Sequence, residues 1–239
     1  MLFRSFDKLR AECDTMVVGG LSMGAVLALH LAAQRQDQVH GLALYAPTLW
    51  YDGWAMPWYR FMLHAGMMTP LGRWIVRNFY NFVETEPYGI KDPTIRAVVV
   101  AAMQSGDSTL AGVLTTPGDA VIELCRLVAV VKKELKSIEA PVFIVQARED
   151  DLSSPRNTEY LQRNLGGLVD TLILDDSYHI VTVDRQRDLL IEGTRAFGML
   201  LASRMGTQRK SGEIVRPMTD KSGAKTRTDR PDLSSISGQ

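Results

Sequence analysis

Gly20-Leu21-Ser22-Met23-Gly24 stands where a short apolar run, Thr15-Met16-Val17-Val18, passes directly into a long helical pattern. This junction restricts the fold more than any other feature of the chain. A G-x-S-x-G string is built from common residue types and carries little weight by itself. Between a strand and a helix, however, it fits a nucleophile elbow, a turn that holds its serine in a strained backbone conformation and brings strand and helix nearly into contact. Positions two before and two after the serine then tolerate little beyond glycine, and Gly20 and Gly24 occupy them. Such a turn aims the Ser22 hydroxyl out of the top of a sheet and leaves the backbone N–H of Met23 at a helix N-terminus, where it would stabilise an oxyanion. The plainer alternative is a glycine-rich turn whose serine only caps the helix. Residues 22–36 continue as a helix that is apolar nearly all round, with His30 the one polar side chain before Gln34, so it is expected to be buried.

A serine hydroxyl attacks only if a base takes its proton, and the chain offers four histidines. His30 lies more than two helical turns past Ser22 and is expected to be a hydrogen-bonded core residue. His40 opens a strand and His64 sits in an aromatic-rich stretch, which suits surface or packing roles. His179, in Asp175-Asp176-Ser177-Tyr178-His179-Ile180, follows an apolar strand and so falls at the carboxyl edge of a parallel sheet, the edge where Ser22 emerges. An acid must orient that base, and the candidates cluster in Ala147-Arg148-Glu149-Asp150-Asp151-Leu152. Asp150 is the first choice and Asp151 the second. Glu149, and Asp151 if it is not the acid, are expected to be solvated loop charges, while Asp175, Asp176 and Asp184 shape or flank the histidine loop.

Further apolar strands are expected at residues 39–45, 141–146 and 171–174, with helices at 155–164 and 186–204. Strands alternating with helices imply an α/β fold around a mostly parallel sheet. Between residues 47 and 136 the pattern turns to helices rich in Trp, Tyr, Phe and Met with no clear strand. This suggests a core of 1–48 and 137–204, a helical insertion at 49–136, and a disordered tail at 205–239, where seven basic and four acidic side chains stand among few apolar ones. Across all 239 residues, 27 basic and 27 acidic side chains cancel, which leaves no bulk charge to draw nucleic acid. No apolar run approaches the roughly 18 residues of a membrane span. Two cysteines, Cys13 and Cys125, make neither a disulfide framework nor a four-thiolate zinc site, which points to a reducing, cytoplasmic setting and gives no hint of a metal or cofactor.

With these residues in place, the chain resembles the α/β-hydrolase superfamily, and most of all bacterial carboxylesterases and monoacylglycerol lipases. The resemblance covers roughly residues 1–204. It is carried by Val17 to Gly24, by Ala46-Pro47-Thr48, by Val145-Gln146-Ala147-Arg148-Glu149-Asp150-Asp151, and by Ser177-Tyr178-His179-Ile180-Val181. It implies a serine hydrolase of carboxylic esters with a hydrophobic acyl chain, acting through Ser22, His179 and Asp150 with Met23 N–H as oxyanion donor. The insertion would then be a cap over an acyl pocket, with Trp50, Trp54, Trp58, Met62 and Met67 as candidate substrate contacts. Tyr51, Met56, Tyr59, Phe61 and Met68 are further apolar residues of the same stretch. The same three catalytic groups also serve thioester or lactone hydrolysis. A non-catalytic remnant that binds a hydrophobic ligand or a partner is the rival from another class.

The resemblance also implies a departure. In the family the serine follows the fifth strand of eight, whereas here it is residue 22, so the four strands are expected to correspond to strands 5 to 8. The strand before Ser22 would then lose a neighbour, and the loop that supplies a second oxyanion N–H would be missing. Loss of one such donor costs about 3 to 4 kcal/mol in the transition state. On this reading the chain is a truncated esterase, with all three side chains present in a weakened site.

Overall fold

The computed structural model of the protein describes residues 2–57, 66–67, 69–104 and 115–214, with side chains for 3–57, 66–67, 69–104 and 115–204. In chain order the elements are α1 (Leu2–Glu12), β1 (Val17–Leu21), α2 (Met23–Gln34), β2 (Gly41–Tyr45), α3 (Pro70–Phe79), β3 (Asn81–Val83), α4 (Pro93–Gln104), β4 (Thr115–Pro117), α5 (Gly118–Glu134), β5 (Val142–Ala147), α6 (Arg156–Asn164), β6 (Val169–Leu174) and α7 (Arg187–Ile214). A short 3₁₀ turn at Leu135–Ser137 follows α5.

Four strands form one parallel sheet in the order β1-β2-β5-β6, with β1 and β6 at its edges. Helices flank it, giving the α/β fold expected from the alternating pattern. Side-chain alternation along the strands sorts the core into two layers. Leu42, Leu44, Val142 and Ile144 pack with Ala25, Val26 and Leu29 of α2, Val128 and Val131 of α5, and Leu161 of α6. Their neighbours Phe143 and Val145 turn to the other face, against Leu190, Phe197 and Leu201 of α7. All six positions of β5 are buried, as befits a strand covered on both faces.

The observed boundaries differ from the sequence pattern in four places. β1 starts at Val17 and runs on through both glycines, because parallel pairing uses the backbone that Gly19 and Gly20 share with Ala43 and Leu44. Residues 81–83 and 115–117 pair as a two-stranded antiparallel ribbon in the stretch expected to lack strands. Three residues a side are too few for a period-of-two signal, and Phe82 is held there by stacking on Tyr51. α7 continues past Arg204 to Ile214, since adding a residue to an existing helix is far easier than starting one. Finally, α2 is not buried all round: Met23 is 47% exposed and Leu27 36%. Among the described residues no helix is long and apolar enough to cross a membrane.

Close approach at the β1–α2 turn falls unequally on its two glycines. A Cβ on Gly20 would lie 2.4 Å from the carbonyl carbon of Gly24, while a Cβ on Gly24 would meet nothing within 4 Å. The need for glycine at position 24, expected from the motif, is therefore not steric. Gly20→Ala is predicted to cost about 3 kcal/mol or to prevent folding, and Gly24→Ala to change stability by less than about 1 kcal/mol, as measured by urea unfolding.

Candidate active site

The sheet's register brings Leu21, Tyr45, Ala147 and Leu174 to one edge, so the segments after all four strands meet there. Ser22 lies in the first of these segments, with φ 55° and ψ −116°, a left-handed conformation that is strained for any residue but glycine. Its N–H donates to Tyr45 O at 2.9 Å, which extends the sheet bonding by one residue and pins the turn. Met23 opens α2, where the first-turn N–H groups lack intrahelical acceptors. The Ser22 Oγ is 3.1 Å from Thr48 Oγ1. Because the Thr48 hydroxyl donates its single hydrogen to Ala46 O, Ser22 is the donor in that pair.

His179 and Asp150 meet from the segments after β6 and β5. The imidazole Nδ1 lies 3.0 and 2.9 Å from the two Asp150 oxygens, and both side chains are almost wholly removed from solvent. Asp150 is itself held on all sides. Oδ1 accepts the N–H groups of Leu152 and Ser153, and Oδ2 accepts the Gln146 amide. An ionised carboxylate only accepts, so Nδ1 carries the hydrogen and Nε2 of the neutral ring is a bare acceptor. That Nε2 is buried and has no hydrogen-bond partner among the described residues. Burial lowers the affinity of His179 for a proton, but Asp150 beside it, with Asp151 and Glu84 adding, outweighs this and raises its pKa above the usual histidine value.

Ser22, Met23 and His179 line one cavity of about 540 Å³. Its walls are mostly apolar and include Trp50, Tyr51, Met56, Met67, Leu124 and Val128. Ionisable groups interrupt them, among them Tyr51 and Glu84. Burial pushes the Tyr51 phenol up to about 12, with Glu84 and Cys125 contributing. Burial also raises the Glu84 carboxyl, opposed by nearby His179 and reinforced by Asp151. Both lie in a stretch where the sequence shows mainly aromatic bulk, and no pattern marks Glu84 as different from other loop acids.

Of the expected cap contacts, Trp50 and Met67 line the cavity, whereas Trp54 does not. The Trp54 ring packs edge-on against Tyr178, its indole N–H donates to Glu149 O, and it remains 59% exposed. Trp58 and Met62, and with them Tyr59, Phe61, His64 and Met68, lie outside the described residues. His30 is bonded to Glu134 at 2.9 Å, and His40 accepts the Met16 N–H at 2.9 Å.

The expectation of a solvated Asp151 is overturned. It is fully buried, its oxygens accepting the N–H groups of His179 and Gly89, because two loops close over it. Glu149, by contrast, stays at the surface and pairs with Lys91. Asp184 is also buried and accepts from four backbone N–H groups, those of Lys91, Asp92, Tyr178 and Arg185. Gln146 and Thr48 stand in the stretches that carry the resemblance, but the sequence assigns neither a role. A polar residue ending the otherwise apolar run Val142 to Val145 was the available signal for Gln146.

Comparison with known proteins agrees with this architecture. The sequence pattern of the family described as serine aminopeptidase, S33 matches residues 3–186. A thermostable monoacylglycerol lipase of Bacillus sp. (strain H-257) is 24% identical over 195 residues, which are 79% of this chain and 64% of the lipase. The chain thus spans just under two thirds of the length of that curated relative. Among solved structures, one of LipS and LipT, two metagenome-derived lipolytic enzymes, superposes with a TM-score of 0.64 at 24% identity, covering 82% of this chain and 69% of the other. The monoacylglycerol lipase of Paleococcus ferrophilus superposes with a TM-score of 0.62 at 17% identity, covering 84% and 73%. With the match extending over most of its length, the chain belongs to the serine aminopeptidase S33 family and carries the α/β-hydrolase fold.

Proposed function

We propose that the chain hydrolyses carboxylic esters with an apolar acyl group, in the manner of a carboxylesterase or monoacylglycerol lipase. One observation carries this reading. A buried imidazole, held through Nδ1 by Asp150 and with no hydrogen-bond partner for Nε2 among the described residues, lines the apolar cavity that Ser22 also lines. An unpaired buried acceptor weakens the fold unless something else uses it. A proton from the serine hydroxyl is that use.

In the proposed reaction Ser22 exchanges its bond to Thr48 for one to Nε2 and attacks the ester carbonyl while His179 takes its proton. The carbonyl oxygen becomes an oxyanion and accepts from the Met23 N–H. Asp150 holds the ring in the tautomer that leaves Nε2 free and stabilises the imidazolium. As the tetrahedral species collapses, the ester C–O bond breaks and His179 returns the proton to the leaving alcohol. Water, deprotonated by the same imidazole, then attacks the acyl-serine; the bond between the acyl carbon and Ser22 Oγ breaks, His179 returns the proton to Oγ, and the acid is released.

The size and apolar walls of the cavity favour an acyl chain over a peptide, whose many polar groups would be left unpaired there. Its walls come mainly from residues 49–128, which supports reading the earlier part of the 49–136 segment as a cap, whereas α5 packs in the core itself through Val128 and Val131. A glycerol ester is suggested by the relative from Bacillus. Two free cysteines fit the cytoplasmic setting. No observation favours thioesters or lactones, or a purely binding role.

Labelling by a fluorophosphonate probe is expected for the native chain, to be lost in Ser22→Ala and strongly reduced in His179→Ala; a folded native protein that does not label would refute the reading. Asp150→Asn is expected to lower kcat by about ten-thousandfold through loss of tautomer control.

The pH profile has a definite sign. Catalysis needs neutral His179, and its raised pKa keeps the ring protonated to higher pH, so kcat/KM should climb with pH through a midpoint above the usual histidine value of about 6.5. A midpoint below that value would contradict the placement of the charges. Val121 lines the cavity, and Val121→Trp is expected to reduce kcat/KM for a decanoate ester by at least about tenfold relative to the acetate ester of the same alcohol.

A further inference from the structure

Asp151 sits next to the residue proposed as the acid, yet its own oxygens face elsewhere. It is wholly buried, and no Lys or Arg pairs with it among the described residues. Oδ1 accepts the His179 N–H at 3.2 Å, and Oδ2 accepts the Gly89 N–H at 2.9 Å. The Gly89 carbonyl in turn accepts the Ile180 N–H at 2.7 Å. These three bonds close a ring: carboxylate, Gly89 peptide groups, and the backbone of His179 and Ile180. Gly89 has φ +72°, and a Cβ there would stand 2.7 Å from Ile180 Cγ1, so this approach of two backbones requires glycine.

Residue type matters at the centre of the ring. Two N–H donors need two acceptors, which a carboxylate supplies and an amide does not, since half of an amide head is itself a donor. The charge matters as well. His179 is faced by three carboxyl groups, those of Asp150, Asp151 and Glu84, and by no cation among the groups acting on it. When His179 takes up a proton, each of these anions favours the imidazolium, and Asp151 does so without contacting the ring.

We propose that Asp151 is a positioning residue for the base: its carboxylate fastens the His179 backbone to Gly89, and its charge, added to that of Asp150, stabilises the protonated ring. The rate consequence rests on the ester-hydrolase reading above, whereas the geometric and electrostatic consequences do not. The Gly89 segment follows Glu84 of the cavity wall closely in sequence. Asp151 therefore ties the wall that meets substrate to the backbone that carries the base.

The test is Asp151→Asn in the full chain, read in two ways. Nuclear magnetic resonance titration of the His179 ring should show its midpoint lowered by about half a unit or more, since one nearby anion is gone. With a soluble ester, kcat should fall about tenfold with KM within about twofold, and the acid limb of the profile should move down with the ring titration. Asp151→Glu, which restores charge, should recover the midpoint in part.

Gly89→Ala probes the ring from the other side and leaves every charge in place, so kcat should fall while the His179 midpoint stays unchanged. It also serves if Asp151→Asn does not fold. A folded Asp151→Asn protein with native midpoint and native kcat would overturn the proposal, as would a Gly89→Ala protein with native kcat. Should the native chain cleave no ester and take no fluorophosphonate, the functional reading fails by itself. The His179 titration in Asp151→Asn then still decides the role of the charge.

Discussion

At Gly20, against the backbone of Gly24, the structure has room for backbone and nothing more, and much of the site depends on that contact. It lets β1 turn into α2 within a single residue, Ser22, whose left-handed backbone stores strain on the order of 1 to 3 kcal/mol. Burial of Ala25, Val26 and Leu29 against the sheet offsets that strain, because the apolar face of α2 reaches the core only if the turn is this tight. Packing energy from the helix thus holds a hydroxyl in a conformation that it would not adopt alone. The same contact sets the first N–H groups of α2 beside the hydroxyl.

Buried carboxylates organise the rest of the edge. Asp150, Asp151 and Asp184 are each at most 3% exposed, and none has a Lys or Arg partner among the described residues. Backbone N–H groups take the place of cations: two for Asp150, two for Asp151 and four for Asp184. Burying a carboxylate without hydrogen-bond donors is costly, and at Asp151 burial still raises the carboxyl pKa although the His179 N–H opposes it. Here the donors come from loops that have no regular pairing of their own, so each anion also satisfies backbone that would otherwise be orphaned. The result is a histidine loop held by side chains of other segments rather than by a strand.

The cavity reflects the opposite economy. Around Ser22 and His179 the structure leaves apolar surface uncovered and one ring nitrogen without a partner among the described residues. Those features weaken a fold that has no use for them, and they are common where a ligand supplies the missing partner. Glu84 and Tyr51 add groups whose charged forms are disfavoured by burial.

What could be read from the chain alone was whatever depends on local spacing. The G-x-S-x-G string between an apolar run and a helix located the strained turn, alternation of strands and helices implied the parallel sheet, and strand ends placed Ser22, Asp150 and His179 at a common edge. Trp54 and Asp151 depart from expectation for a shared reason: whether a loop residue is exposed depends on which distant segment folds over it. Tertiary structure alone decided that Asp151 would be enclosed by Gly89, that Thr48 would take the Ser22 hydrogen, and that a short ribbon would form at residues 81–83 and 115–117. Periodicity and turn chemistry act over a few residues and are written in the sequence. Desolvation and long-range hydrogen bonding arise only when segments far apart in the chain exclude water between them.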